Sequence, residues 1–192
     1  MSRDEPEPAS GKKETVEREL KFPCDNLEGM RERLLAFEAE RLSAGGAEEN
    51  LVYDRDGRLL EKREILRLRR DRSGWSLTFK GSPTYEDGVK IRSERETKVE
   101  DGDEVHAILL GLGYDVVRRY EKKREEWRLG GVKVALDHTP IGDFVEFEGS
   151  GAAAVARRCE FDVEQAEMRT YLELYEDYRR EHPDAPPDMV FS

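Results

Sequence analysis

Like-charged side chains recur in pairs spaced two residues apart along this chain. In a β-strand, side chains two residues apart point to the same face, so each pair would present two like charges together. Carboxylates are hard oxygen donors that hold Mg²⁺ or Mn²⁺, and Arg and Lys bind phosphate oxygens. Both kinds of pair on neighbouring strands would suit a polyphosphate held with one or two metal ions. The acidic pairs are Glu17/Glu19, Glu94/Glu96 and Glu146/Glu148, and the basic pairs are Arg67/Arg69 and Lys122/Arg124.

Each strand taken alone has a simpler interpretation. An antiparallel sheet often has one solvated face, and charged residues on it merely stay in water. Two features of the whole set weigh against this. The charges separate into acidic and basic pairs, and the apolar faces of the strands must be covered by the amphipathic helices of the chain. If the helices pack outside, the charged faces turn toward one another around a polar lumen.

The elements that would position these residues follow from the hydrophobic pattern. Gly45-Gly46 would end the first helical region. The predicted strands and helices do not alternate as βαβ units. The chain is therefore predicted to be α+β, an antiparallel eight-stranded closed β-barrel with helices packed outside. The predicted strands are 15–22, 50–55, 65–71, 75–80, 89–99, 116–129, 132–137 and 143–148. Of the predicted helices, the first is capped by Asp25 or Asn26 and the second by Asp103, and the other two span 152–158 and 166–181.

Composition sets limits on the class of protein. The chain has 192 residues, of which 36% are hydrophobic and 40% charged, with a net charge of −11. This acidic balance makes nucleic acid an unexpected partner. Cys24 and Cys159 form no CxxC pair, which favours a reducing cytoplasm and no zinc site. No apolar stretch is long enough to span a membrane, so no membrane partner is expected.

Residues 14–180 are predicted to form one domain. Residues 1–13 are polar and read as a disordered N-terminal tail, and residues 181–192 read as a C-terminal tail. The stretch Gly149–Ala154 matches G-x-G-x-x-A, but without a parallel βαβ unit it indicates only a flexible approach to a helix. Tyr171, Tyr175 and Tyr178 fit packing at helical spacing; one of them could stack on a base, but nothing selects which.

The charged blocks resemble, in order, those of the CYTH proteins, the triphosphate tunnel metalloenzymes. The resemblance covers 14–178 and is strongest to the class IV adenylate cyclase-like branch, whose relatives include thiamine triphosphatase and inorganic triphosphatase. The blocks are Glu17-x-Glu19-x-Lys21, Leu66-Arg67-Leu68-Arg69, Thr78-Phe79-Lys80-Gly81, Arg92-x-Glu94-x-Glu96, Tyr120-x-Lys122-x-Arg124, and Leu136-Asp137-x4-Gly142-Asp143-Phe144-x-Glu146-x-Glu148.

The resemblance implies roles for matching residues. Four lumen residues, Lys122, Arg92, Glu94 and Glu96, have less certain roles, and pairing with each other is the alternative for them. A homodimer is also expected from the family. The implied ligands of Mg²⁺ or Mn²⁺ are Glu17, Glu19, Asp137, Glu146 and Glu148; the implied substrate-binding bases are Lys21, Arg67, Arg69, Lys80, Arg92, Lys122 and Arg124, of which Arg67, Arg69, Lys80 and Arg124 would also be catalytic.

Three functions are compatible with such a site. The first is hydrolysis of a small-molecule triphosphate by water activated on metal, with the bases stabilising charge on the phosphates. The second is cyclisation of ATP to cyclic AMP and pyrophosphate. The third is non-catalytic binding of polyphosphate or of phosphorylated RNA ends, which the acidic set argues against because repelling carboxylates do not help to hold an anion. The sequence does not choose between the first two.

Overall fold

The computed structural model describes residues 15–86 and 88–191. The N-terminal tail expected over residues 1–13 lies outside this described part. No helix within it is both long and apolar enough to cross a membrane. The strands are β1 (Thr15–Pro23), β2 (Glu40–Asp54), β3 (Ile65–Asp71), β4 (Gly74–Lys80), β5 (Thr84–Glu86), β6 (Val89–Val99), β7 (Asp115–Leu129), β8 (Val132–Thr139) and β9 (Gly142–Glu148); the helices are α1 (Leu27–Ala36), α2 (Arg58–Glu61), α3 (Gly102–Gly111), α4 (Ala152–Arg158) and α5 (Tyr171–Glu181), with a 3₁₀ turn at Val163–Gln165.

Eight strands close into an antiparallel barrel. Their order is β1-β9-β8-β7-β2-β3-β4-β6, and β6 returns to β1 through pairs that run from Thr15 opposite Glu94 to Glu19 opposite Lys90. The predicted α+β fold with an eight-stranded closed barrel is therefore confirmed. The short β5 pairs with the start of β6 as an additional strand and was not predicted.

The outer surface of the barrel is apolar and is covered by helices. On the β1, β8 and β9 side, Leu20 and Phe147 are buried in one cluster with Met30 and Leu34 of α1. On the opposite side α3 packs over β2, β3 and β4, with Leu109 buried against Tyr53 and Leu68. These contacts use the apolar residues that alternate with the charged ones along each strand, so the charged residues face inward.

The first turn of α3 lies directly against the barrel. Gly102 opens the helix, and a Cβ atom there would lie 2.1 Å from Cδ2 of Trp75. Asp101 caps this helix by accepting the backbone N–H groups of Asp103 and Glu104, each at 3.0 Å. The cap was expected at Asp103. The structure places it two residues earlier because Asp103 already lies within the first helical turn.

Helix α5 and the residues after it close one end of the barrel. Tyr171 and Tyr175 of α5 are buried with Val52, Tyr120 and Phe144, which come from three strands. The segment expected to be a C-terminal tail packs there as well. Met189 is fully buried, its N–H donates to the Arg119 carbonyl at 3.1 Å, and its carbonyl accepts the Glu121 N–H at 2.8 Å.

Some element boundaries differ from those predicted. Strand β2 begins at Glu40 rather than Asn50, and Gly45-Gly46 lies inside it at irregularities of its pairing with β7 instead of ending a helical region. Gly45 takes a φ of +88°, a conformation that glycine adopts without strain. Helix α5 begins at Tyr171 rather than residue 166, because Thr170 and Glu173 form a capping box. Helix α2 was not predicted.

Candidate active site

The barrel encloses a cavity of about 720 Å³ whose wall is rich in both signs of charge. Ten Lys or Arg and seven Glu side chains line it, so the wall carries three more positive than negative charges although the chain has a net charge of −11. Local excess of this kind attracts anions whatever the overall charge. The charged lining residues are Lys21, Arg67, Arg69, Lys80, Lys90, Arg92, Arg95, Lys122, Arg124 and Lys133, with Glu17, Glu19, Glu94, Glu96, Glu126, Glu146 and Glu148.

Strand register brings two acidic residues from different strands face to face. Glu19 of β1 lies opposite Glu148 of β9 in the antiparallel ladder. Like charges in such positions repel each other. Each is flanked by a lysine: Nζ of Lys90 lies 2.7 Å from Oε1 of Glu19, and Nζ of Lys133 lies 2.6 Å from Oε2 of Glu148.

A second group of charges joins β1 to β4 and β6. Both carboxylate oxygens of Glu17 lie 2.7 Å from Nζ of Lys80, which is also 3.3 Å from Oε2 of Glu94. Glu96 accepts a hydrogen bond from Thr78 Oγ1 at 2.8 Å and lies 3.4 Å from Nη2 of Arg69. Glu94 and Glu96 thus both pair with lumen bases in this structure.

Burial by itself would raise the pKa of the Glu96 carboxyl. The nearby Arg69 guanidinium and the Thr78 hydroxyl outweigh that effect and hold the pKa below its usual range. Arg67, next to Arg69 on the same face of β3, donates to the Tyr120 hydroxyl at 3.1 Å. Its Nε is buried without a hydrogen-bond acceptor, so the Arg67 guanidinium retains unused donor capacity; Nε of Arg69 instead lies 3.4 Å from Oδ2 of Asp71.

Asp137 lies behind the cavity wall and not in it, unlike the other predicted site residues. Its carboxylate is fully buried and accepts hydrogen bonds from Arg124 Nε at 2.7 Å, Lys122 Nζ at 3.0 Å and the Tyr171 hydroxyl at 2.7 Å. Burial would raise the pKa of this carboxyl, but the two cations more than offset it and lower the pKa. Arg124 also pairs with Glu146, which does line the cavity.

Lys21 is held at the closed end of the cavity. Its ammonium donates to the Arg169 carbonyl and lies 4.4 Å from the centre of the Tyr171 ring. Burial lowers the pKa of Lys21, in opposition to the carboxylates of Glu146 and Glu19. Lys122 lies 5.1 Å from the same ring, so Tyr171 contacts two cations through its face and Asp137 through its hydroxyl.

Arg92 has a different environment from the other bases. Its guanidinium donates to the carbonyl of Gly81 at 2.9 and 2.7 Å and to that of Arg63 at 2.8 Å. The side chain is 4% exposed. Arg92 was expected to bind substrate; it lines the cavity, and its Nε and Nη2 tie the segments after β4 and before β3 to β6.

Several lining residues were not among those predicted. Lys90 precedes Arg92 by two positions, Lys133 precedes Ala135 by two and Glu126 follows Arg124 by two, so extending the alternation along each strand would have found all three. Tyr171 comes from a helix at the end of the barrel. Strand alternation carries no information about it.

The acidic residues suit a divalent cation by their chemistry. Within residues 15–86 and 88–191, no three His, Cys, Asp or Glu side chains already converge as a ready metal cluster. Each predicted carboxylate is instead paired with Lys or Arg. Glu17, Glu19, Glu146 and Glu148 nevertheless offer the hard oxygen donors that such ions prefer, and all four line the cavity.

Comparison with known proteins finds a sequence relative and solved structures of the same fold. A 98-residue segment is 34% identical to a candidate adenylate cyclase of Methanocaldococcus jannaschii, and this match covers 50% of the chain and 54% of that protein, so about half of the relative's length is spanned. Among solved structures, a candidate adenylate cyclase from Vibrio parahaemolyticus superposes with a TM-score of 0.74 at 22% identity, covering 85% of this chain and 99% of the other.

A second solved structure has the same fold. It is a candidate adenylyl cyclase from Hippeastrum that is described as having a dominant triphosphatase activity; it gives a TM-score of 0.62 at 17% identity and covers 86% of this chain and 96% of its own. The family model of the CYTH domain matches residues 16–180. Triphosphate tunnel metalloenzymes of that family use divalent metals. Because the family model matches most of the chain, the chain belongs to the CYTH domain family.

Proposed function

We propose that this protein hydrolyses a small-molecule triphosphate bound inside the barrel together with Mg²⁺ or Mn²⁺. The observation that carries the proposal is the cavity wall, where ten basic and seven acidic side chains surround one space. A purely anion-binding site would gain nothing from so many carboxylates. A site that holds a polyphosphate and a divalent cation together uses both signs.

The two signs would have separate tasks. Glu17, Glu19, Glu146 and Glu148 would hold the divalent cation, which when bound supplies charge neutralisation and an activated water. Arg67 and Arg69 would donate to phosphate oxygens, since they share one face of β3, both line the cavity, and Nε of Arg67 is a buried donor without an acceptor. Lys80 and Arg124 reach the cavity from β4 and β7 and would stabilise the negative charge that develops on the phosphates.

Asp137 would act indirectly. Because it binds Arg124, Lys122 and Tyr171 at once, it fixes the direction in which both cations point into the cavity. Preorganised donors of this kind stabilise charge without having to reorient during the reaction. We therefore assign Asp137 a positioning role rather than the metal-binding role that the resemblance implies for it.

Hydrolysis is favoured over cyclisation by the character of the lining. Among the described residues, the aromatic side chains that line the cavity are Tyr120 and Tyr171, and both are engaged. Tyr120 is buried in the cluster that contains Val52 and Met189 and accepts from Arg67 through its hydroxyl, and Tyr171 contacts Lys21, Lys122 and Asp137. An adenine base would gain from a free aromatic face, whereas a chain of phosphates needs only cations. ATP cyclisation remains the second candidate because the Methanocaldococcus jannaschii relative is named for it.

One incubation series tests the proposal. The protein is incubated with tripolyphosphate, ATP or thiamine triphosphate and Mg²⁺ or Mn²⁺, and phosphate, pyrophosphate and cyclic AMP are measured. We expect phosphate release that stops when EDTA removes the metal. Cyclic AMP with pyrophosphate from ATP would instead establish the cyclase, and no metal-dependent product from any of the three compounds would contradict both enzymatic functions.

A matched pair of variants ties the activity to the cavity. Arg67→Ala removes a guanidinium that lines the cavity, whereas Arg70→Ala removes one from an exposed position of the same strand. We expect the first change to reduce kcat/KM by at least about tenfold, corresponding to a loss of about 1.4 kcal/mol of transition-state stabilisation. The second should leave it unchanged. Equal effects of both would place the site elsewhere.

A further inference from the structure

Lys90 and Lys133 hold the two glutamates that face each other across the β1–β9 ladder. Glu19 is paired in register with Lys90 on β6, and Glu148 with Lys133 on β8. The ammonium groups lie 2.7 Å from Oε1 of Glu19 and 2.6 Å from Oε2 of Glu148. The four side chains therefore form a row across adjacent strands in the order lysine, glutamate, glutamate, lysine.

This row has two opposite effects on ligands. A divalent cation that approaches the facing glutamates must take carboxylate oxygens that the lysines hold. A polyphosphate must take ammonium groups that the glutamates hold. Either ligand arriving alone would leave part of the row without its counter-charge. This is most costly at the Lys90–Glu19 pair, whose side chains are only 10% and 12% exposed, and less costly at the Lys133–Glu148 pair, whose side chains are 36% and 35% exposed.

We propose that Lys90 and Lys133 are internal counterions that couple the binding of a divalent cation to the binding of a polyphosphate. This inference rests on the proposed function and extends it to the form of the substrate. Lys90 leaves Glu19 and Lys133 leaves Glu148, and both ammonium groups then donate to phosphate oxygens while the glutamates keep the metal. The metal thereby replaces the lysines as the partner of the glutamates, and the phosphate oxygens replace the glutamates as the partner of the lysines.

The coupling is reciprocal by thermodynamic necessity. If bound polyphosphate increases the affinity for the metal, bound metal increases the affinity for polyphosphate by the same factor. The ligand-free protein then discriminates against free divalent cations and against metal-free phosphate compounds. The substrate that it selects is the complex of a polyphosphate with a divalent metal.

Metal binding without any phosphate compound tests the inference directly. Mn²⁺ is titrated calorimetrically into the wild type, Lys90→Gln, Lys133→Gln and the double variant. Removal of the competing ammonium should tighten Mn²⁺ binding at least about tenfold in the double variant, equivalent to about 1.4 kcal/mol. Lys90→Arg, which keeps the positive charge, should not tighten it. Neither should Lys62→Gln, a change of the same net charge at an exposed position.

A second titration measures the other half of the coupling. Tripolyphosphate without metal should bind more weakly to the double variant than to the wild type, because two of its cations are gone. Thermal unfolding of each variant checks that it is folded, and the single variants serve if the double variant is not. Unchanged or weaker Mn²⁺ binding in folded variants would refute the counterion role. Absence of any metal-dependent hydrolysis by the wild type would refute the proposed function instead.

Discussion

Arg124 of β7 donates two parallel hydrogen bonds to Asp137 of β8, from Nε to Oδ1 at 2.7 Å and from Nη2 to Oδ2 at 2.5 Å. The two residues are directly opposite each other in the ladder. Such a bidentate contact fixes the plane of the guanidinium as well as its position. One face of the cavity thus depends on a carboxylate that lies outside the cavity.

Replacement of that carboxylate should affect both stability and catalysis. Asp137→Asn preserves the shape but removes the charge that balances Arg124 and Lys122, so we expect the free energy of unfolding to fall by about 3 kcal/mol. Phosphate release should fall with it, mainly through kcat, because the cations lose their orientation. Urea unfolding and steady-state kinetics measure the two effects. A variant with full activity would contradict the positioning role of Asp137.

Tyr171 joins helix α5 to this group, and its hydroxyl can be removed alone. Tyr171→Phe deletes the hydrogen bond to Asp137 but keeps the ring against Lys21 and Lys122, and we expect a loss of about 1–3 kcal/mol of stability. Tyr171→Leu also deletes the ring face and should further weaken tripolyphosphate binding. Calorimetric titration distinguishes the two variants. Equal phosphate affinities would show that the ring does not help to position the lysines.

Replacement of an acidic site residue should change mainly the metal requirement, and replacement of a basic one mainly the KM for the triphosphate. Glu148→Gln should raise the Mg²⁺ concentration needed for half-maximal activity, because one hard oxygen donor is lost. Arg67→Ala should raise the KM for the triphosphate with a smaller change in metal requirement. Glu49→Gln, at an exposed position of β2, is the control for the acidic change. Kinetics over a grid of metal and substrate concentrations separate these effects, and identical responses would contradict the assignment.

Asp54, at the end of β2, gives a test of stability away from the cavity. Its carboxylate accepts the backbone N–H groups of Leu59 at 3.1 Å and Leu60 at 3.0 Å in α2. Burial would raise the pKa of Asp54, but the backbone donors outweigh it and lower the pKa. Asp54→Asn should therefore cost about 1–3 kcal/mol at pH 7.

That cost should depend on pH in a defined direction. Because the pKa of Asp54 is lower in the folded than in the unfolded protein, its contribution is complete above the ordinary value of about 3.9 and is lost as the pH falls through the folded-state value. The stability difference between wild type and Asp54→Asn should shrink in that acidic range. Denaturant unfolding at several pH values measures it, and a constant difference would contradict the assigned cause.

The inward-facing residues were largely predictable because strand alternation is a local property. Glu17, Glu19 and Lys21 share a face whatever they pair with, and an apolar opposite face must be covered. The same reasoning located the inward face of β3 at Arg67 and Arg69. It missed residues 40–49 of β2, since Gly45-Gly46 signals a turn in isolation and only pairing with β7 makes it part of a strand.

Partners across strands could not be predicted in this way. Strand register decides that Glu19 lies opposite Glu148 and that Lys133 lies opposite Glu148 on its other side. Register depends on how distant segments of the chain align. The position of Asp137 behind the cavity wall likewise could not be predicted from the sequence. Its alternation places it inward, but its burial depends on Tyr171 arriving from a helix that begins more than thirty residues later.

The sequence by itself determined that charged faces alternate with apolar ones, which side chains share a face, and the order of charged blocks that marks the family. These properties depend on the backbone geometry of single strands and therefore survive without the fold. Only the tertiary structure decided which charges meet, which of them line the cavity, and that Asp137 lies behind the wall and supports it. The reason is that closing the barrel and placing α5 across its end bring together residues far apart in the chain, and no local pattern specifies those distances.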